Sequence, residues 1–238
     1  MITIVFTSFN RPDYLEQVLH SWSQVEGVHD VPKHMFLEPG PIKNVMLEVV
    51  AESDLDIVVH ENEVRNGVLH NPWVALDYAF KELNSSFTVL AEDDLIVSKD
   101  VLSYFEYASS AYSPDESLGV CSFRMQGNVE NPGATFLENA FDVWVWGTWK
   151  QSWDQVLRNT WDHNYSTNNG IPGNQAGWDW NISRLTKAGK PFVRSSVSRS
   201  QHIGKDRGTH MVPWMFDQFQ ANTFLSDRET PTFYREEN

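Results

Sequence analysis

Between Ile2 and Tyr112 the chain alternates two periodicities, and no other feature narrows its fold as far. Short apolar runs at 2–6, 34–38, 55–60 and 87–91 read as strands. Between and after them, apolar residues recur at helical spacing. Leu15, Val18, Leu19 and Trp22 form one stripe, behind Pro12 and Asp13, which suit a first turn. Further stripes are Ile42, Val45, Met46, Val49 and Val50, then Leu69, Trp73, Leu76, Phe80 and Leu83, then Val101, Phe105, Ala108 and Tyr112. Such alternation predicts an α/β fold, a mostly parallel sheet with helices on both faces. Ligands of such sheets bind outside the carboxyl ends of the strands.

The fourth run ends in Glu92-Asp93-Asp94. Three adjacent carboxylates cannot all ionise without a counter-charge. Mg²⁺ or Mn²⁺ supplies one and accepts one or two carboxylates together with phosphate and water. The run is therefore read as bringing a metal to a nucleotide diphosphate. The competing reading is an acidic helix start with Asp94 as its cap. Arg11 follows the first run, and its fork suits a phosphate or a base, although a solvated surface arginine fits the sequence equally. Glu38 closes the second run, where it can accept from a nucleobase N–H or sit as a plain loop carboxylate.

After residue 120 the texture changes. Eight of the ten tryptophans lie beyond residue 140. Residues 126–139 and 162–174 read as polar loops and lid candidates, 175–188 as helix, and 191–197 as extended chain. Trp146, Trp149 and Trp153 stand at a spacing that would pack one helix. Asp179 lies between Trp178 and Trp180; desolvation by two rings raises a carboxyl pKa and makes a better base. A capping or salt-bridged aspartate fits the same residues. Aromatic faces also stack on sugar rings, so Trp146, Trp178 and Trp180 are assigned to an acceptor. The 202–210 loop carries His202, Lys205, Arg207 and His210, candidates for a late metal ligand or a diphosphate contact.

Composition sets exclusions. The net charge of −14, from 32 acidic against 18 basic residues, argues against binding nucleic acid or anionic membrane. Cys121 is the single cysteine, so no internal disulfide forms, and its apolar setting reads as core. No apolar run has the length of a membrane span. The chain starts directly in a strand, and a cytoplasmic protein is expected.

Five segments in order resemble family-2-like nucleotide-sugar glycosyltransferases of the GT-A fold, and in particular the N-acetylglucosaminyltransferase I group. They are the first strand ending in Thr7-Ser8-Phe9-Asn10-Arg11-Pro12; Glu92-Asp93-Asp94-Leu95 with Asp100 and an aromatic-rich helix; the Trp144 to Trp149 run with Trp153; Trp178-Asp179; and the loop from Gly204 to His210. The polar residues from Ser226 read as a loose tail. The resemblance covers roughly residues 2–212 and implies one GT-A-like domain over 1–238, with 1–125 as the nucleotide-sugar half and 126–225 as the acceptor half. It implies Asp94 as the direct metal ligand, with His210 as a later one, and Glu92 and Asp93 near the ribose and sugar. Arg11, Glu38 and His70 would lie by the nucleoside, and Asp179 would be the base of an inverting enzyme. The motif here is Glu-Asp-Asp rather than Asp-x-Asp, and Asp179 stands alone where that group has two adjacent acids. The expected activity is transfer of a sugar from a UDP-sugar, with Mn²⁺ or Mg²⁺, to a hydroxyl on a glycan or other small polar acceptor. The alternative is a non-catalytic carbohydrate-binding protein on the same fold. A sugar nucleotidyltransferase would carry a Gly-rich basic loop where residues 7–12 offer only Arg11.

Overall fold

The computed structural model describes residues 1–124, 131–163, 177–206, 213–217 and 230–236. The alternation resolves into β1 (Ile2–Ser8), α1 (Pro12–Ser23), β2 (Lys33–Leu37), α2 (Lys43–Glu52), β3 (Val58–Glu61), α3 (Gly67–Lys81), β4 (Phe87–Glu92), β5 (Leu95–Val97) and α4 (Val101–Ala111). Pro12 opens α1, where its missing N–H is an orphan in any case. Strands β4, β1, β2 and β3 lie side by side, all parallel. Their carboxyl ends, with the residues that follow, therefore share one edge of the sheet.

The rest of the chain extends that sheet. It supplies β6 (Val120–Cys121), β7 (Ala134–Glu138), β8 (Trp146–Trp149), β9 (Phe192–Ser195), β10 (Ser200–His202) and β11 (Tyr234–Arg235). Helical pieces are α5 (Lys150–Ser152), a π-helical turn at Trp153–Leu157, α6 (Arg158–Thr160), α7 (Trp178–Lys187) and α8 (Pro213–Met215). The nine-stranded order is β11-β7-β9-β6-β8-β4-β1-β2-β3. The sheet is mixed because β8 runs antiparallel to both β4 and β6, and β7 antiparallel to β9. A separate antiparallel pair joins β5 to β10.

Each face of the sheet has its own core. Ile4 and Phe6 of β1, Met35 and Leu37 of β2, and Val89 and Ala91 of β4 face α1, α2 and α4. Val5, Phe36 and Leu90, one residue out of step, face α3, α7 and the π-helical turn. Period-2 alternation with both sides apolar makes the near-continuous hydrophobic runs seen in the sequence. Each fully buried Val, Leu or Phe contributes roughly 1.5–3 kcal/mol.

Three expectations are corrected. Trp146 and Trp149 lie on a strand, not a helix; hydrogen bonding to β4 on one side and β6 on the other overrides their helical spacing. Gly147 permits this, since a Cβ there would meet the Phe87 ring at 2.4 Å. The stretch expected as a loop at 126–139 contains β7. The described end of the chain is not a loose tail. Tyr234 and Arg235 pair with β7, and Arg235 lies over Tyr112 and bonds Glu116 at 2.8 Å. Among the described residues no helix is long and apolar enough to cross a membrane.

Candidate active site

The acids sit at a corner. β4 ends at Glu92, and the chain turns through Asp93 and Asp94 into β5, not into a helix, which removes the capping alternative. Pairing of β5 with β10 puts His202 opposite Leu95. Ile203 N–H donates to the Asp94 carbonyl at 2.8 Å, locking the corner. The contact spans more than a hundred residues.

Each acid has a distinct environment. Asp93 is 2% exposed. One of its oxygens accepts from Ser8 Oγ at 2.9 Å and Phe9 N–H at 2.8 Å, and the other pairs with Arg11. Burial pushes it up to about 6, while Arg11 pulls it down and Asp94 pushes it further up. Its carboxylate ties β4 to the end of β1. Glu92 is partly exposed. Burial and the Asp94 charge push it up to about 8 against the pull of Arg11, and Asp179 is near enough to push in the same direction as Asp94.

Asp94 is 3% exposed. Burial raises its pKa, but the hydrogen bond from His202, with the Arg11 guanidinium, outweighs this and holds it below 3.8. Its Oδ2 receives Arg11 and lies 3.4 Å from His202 Nε2. Gly204 N–H donates to His202 Nδ1 at 3.1 Å. The ring proton is thereby assigned to Nε2, facing Asp94. In this tautomer His202 faces and holds Asp94. Gly204 is required by the closeness of this packing: a Cβ would meet His202 Cε1 at 2.8 Å and Asp94 Oδ2 at 2.9 Å. Asp94 Oδ1 is buried without a hydrogen-bond partner. Among the described residues no group of three or more His, Cys, Asp or Glu side chains forms a closed metal cage. A buried carboxylate oxygen left without a hydrogen-bond partner is the kind of hard donor that Mg²⁺ or Mn²⁺ takes.

Arg11 is placed with the acids. It bridges Asp93 and Asp94 and supplies the counter-charge that the sequence assigned to a metal. Glu38 is buried, and its carboxylate accepts from Asn66 N–H at 2.8 Å and Gly67 N–H at 3.1 Å. It thus anchors the start of α3. Burial raises its pKa against those hydrogen bonds. His70, on α3, stacks on Trp73 and lies 3.0 Å, nitrogen to nitrogen, from His163. With Arg65 the two histidines line a cleft of about 330 Å³. The Arg65 guanidinium lies 4.2 Å over the Phe9 ring, which connects the cleft to the acid corner.

Asp179 occupies the first turn of α7. Trp178 fixes that turn. It stacks on Trp161 at 4.7 Å and Trp146 at 5.9 Å, and its Nε1 donates to the Val68 carbonyl at 3.2 Å. The assignment of Trp146 and Trp178 to an acceptor is corrected: they are 0% and 3% exposed and form core. Trp180, at 36%, remains open. His210, the other expected metal ligand, lies outside the described residues, as do most of 162–174 and the loop beyond Asp206. Sequence reasoning missed Trp144, partly exposed with its ring 6.1 Å from His202, and His163 and Arg65 in the cleft. The partner of Asp94 was legible only as one of two loop histidines.

No family model matches the chain. It is 27% identical over 163 residues to an alpha-1,3-mannosyl-glycoprotein 2-beta-N-acetylglucosaminyltransferase of Arabidopsis thaliana, covering 66% of this chain and 33% of that protein. Its structure is similar to the mannosyltransferase PcManGT from Pyrobaculum calidifontis in complex with GDP-Man and Mn²⁺. That match has a TM-score of 0.58 and 12% identity over 88% of this chain and 58% of the other. It is also similar to S. aureus TarS 1–349 in complex with UDP-GlcNAc, with a TM-score of 0.57 and 12% identity over 88% and 60%. The chain spans about a third of the length of the plant relative and about three fifths of the two solved chains. With its mixed, mostly parallel nine-stranded sheet flanked by helices and its likeness to these structures, the chain has the fold of the GT-A-type glycosyltransferases.

Proposed function

We propose that this protein is a metal-dependent glycosyltransferase that moves a sugar from a nucleotide-diphosphate donor, a UDP-sugar, to a hydroxyl of a glycan or other small polar acceptor. The observation that carries the reading is the β4–β5 corner. It gathers a buried Asp94 with one oxygen that has no hydrogen-bond partner, Glu92 and, close to Glu92, the first turn of α7 bearing Asp179. A divalent cation, Mn²⁺ or Mg²⁺, would be held by Asp94 and would neutralise charge developing on the departing diphosphate. Asp179 takes the proton of the acceptor hydroxyl as its oxygen displaces the diphosphate at the anomeric carbon. A single displacement inverts that centre. The names of the relatives support the donor class, since GDP-Man and UDP-GlcNAc accompany the two solved structures. The cleft by His70 and Arg65 is the place for the nucleoside.

The test is release of nucleoside diphosphate from a panel of UDP- and GDP-sugars with Mn²⁺. Asp179→Asn should lower turnover by about 10²–10⁴, and Asp94→Ala should abolish the response to metal. Full turnover in both variants would remove the reading. One observation favours a second reading, a carbohydrate-binding protein without chemistry: Arg11 already balances the buried acids. That reading requires that UDP binding, followed by calorimetry, be indifferent to Mn²⁺.

A further inference from the structure

We infer that Trp144 is a stacking platform for a pyranose ring at the acid corner, and that the backbone at Val145 is bent to hold it there. In a regular strand, residues two apart share a face. Trp144 and Trp146 do not. Trp146 is buried in the core on the α3 and α7 face, whereas Trp144 packs on the opposite core, together with Val145. The break is at Val145, fully buried with φ of 51°. A β-branched residue in the left-handed region is strained, and such strain persists only where neighbours over-determine it, often at functional sites. The neighbours here are two buried serines. Ser122 Oγ donates to the Val145 carbonyl at 2.6 Å, Ser122 N–H donates to the same oxygen at 3.1 Å, and Ser200 Oγ donates to the Trp144 carbonyl at 2.9 Å.

The result is a tryptophan at the edge of the site rather than in the core. Its ring meets Phe123 edge-on at 4.4 Å and lies 6.1 Å from His202, which faces Asp94. It stays partly exposed, while Trp146, Trp153 and Trp178 are buried. A large, flat, partly exposed ring next to His202, which holds Asp94, suits a sugar, whose C–H face stacks on the ring. Two sources can present that face, a glycoside acceptor or the sugar of a nucleotide-sugar. The choice of source rests on the glycosyltransferase reading, but the platform itself does not.

The experiment uses the full chain labelled with 5-fluorotryptophan, with Trp144→Phe to assign the fluorine resonance of Trp144. Methyl pyranosides, UDP- and GDP-sugars, and UDP and GDP alone are titrated with Mn²⁺ present. Movement of the Trp144 resonance with a methyl pyranoside supports the platform and names the acceptor as its ligand. Movement with a nucleotide-sugar but not with the bare nucleotide supports it and names the donor sugar. Trp144→Ala should weaken that sugar-dependent binding about tenfold, and Trp144→Phe should keep it within about threefold. A Trp144 resonance unmoved by every sugar, or a Trp144→Ala protein that binds sugar as tightly as wild type, overturns the inference. Failure of the proposed function looks different: no nucleotide-sugar is bound or turned over, yet a glycoside still moves the resonance.

Discussion

Arg11 defines how the acid corner exists before any ligand arrives. Its guanidinium is 17% exposed and bridges two carboxylates that are 2% and 4% exposed. Removing one partner of such a buried group leaves uncompensated charge, typically at a cost of about 3–5 kcal/mol. Arg11→Ala should therefore lose about 3 kcal/mol of stability in urea unfolding. If a divalent cation is the alternative counter-charge, Mn²⁺ should restore more stability to this variant than to wild type, because a ligand that binds only the folded state stabilises by mass action. Equal Mn²⁺ responses would show that the cation does not compete with Arg11 for the same acids. The sequence placed both partners at strand ends. It could not place them together, since that depends on β1 and β4 being parallel neighbours in the register Thr7 to Glu92.

At the scale of elements, the pairing of β2 with β3 brings together two histidines away from the acids, His34 buried and His60 partly buried. His34 Nδ1 and His60 Nε2 are 2.9 Å apart, and Phe36 and Tyr78 pack around the His60 ring. Burial lowers both pKa values from 6.5, and for His34 the other ring lowers it further. The folded state thus binds protons less readily than the unfolded chain, so stability is fully present above pH 6.5 and declines as pH falls below it. Melting temperature should drop between pH 7 and pH 5, and His60→Phe should flatten that slope. Identical slopes would place the acid sensitivity elsewhere. Elements of this kind, β1, β2, β4 and the helices between them, were legible because periodicity is local. β6 was legible too, inside the apolar run 118–123 that reads as a buried strand, whereas the two-residue β11 was not, since so short a piece is a strand only through its neighbours. Nor was the His202–Asp94 contact, which needs β5 and β10 to meet across the chain. The face change between Trp144 and Trp146 runs against local preference altogether, because a valine rarely adopts a positive φ.

Across the whole molecule, the two halves named from the sequence are interlocked rather than adjacent. β8, from the second, is hydrogen-bonded between β4 and β6 of the first, and β6 is in turn paired to β9. β10 of the second half completes the sheet of β5. Neither half can leave without stripping hydrogen bonds and apolar cover from the other, so a single cooperative transition is expected. Two probes separate the halves. Eight of the ten tryptophans lie beyond residue 140, so fluorescence reports mainly on the second. Among the described residues α1, α2, α3 and α4 hold most of the long helix, so far-UV circular dichroism reports mainly on the first. The two urea curves should superimpose, with one midpoint and one slope. Separate midpoints would mean that the β4–β8 seam is a domain boundary, and the acid corner, which lies beside that seam, would then form only when two independently folded units dock.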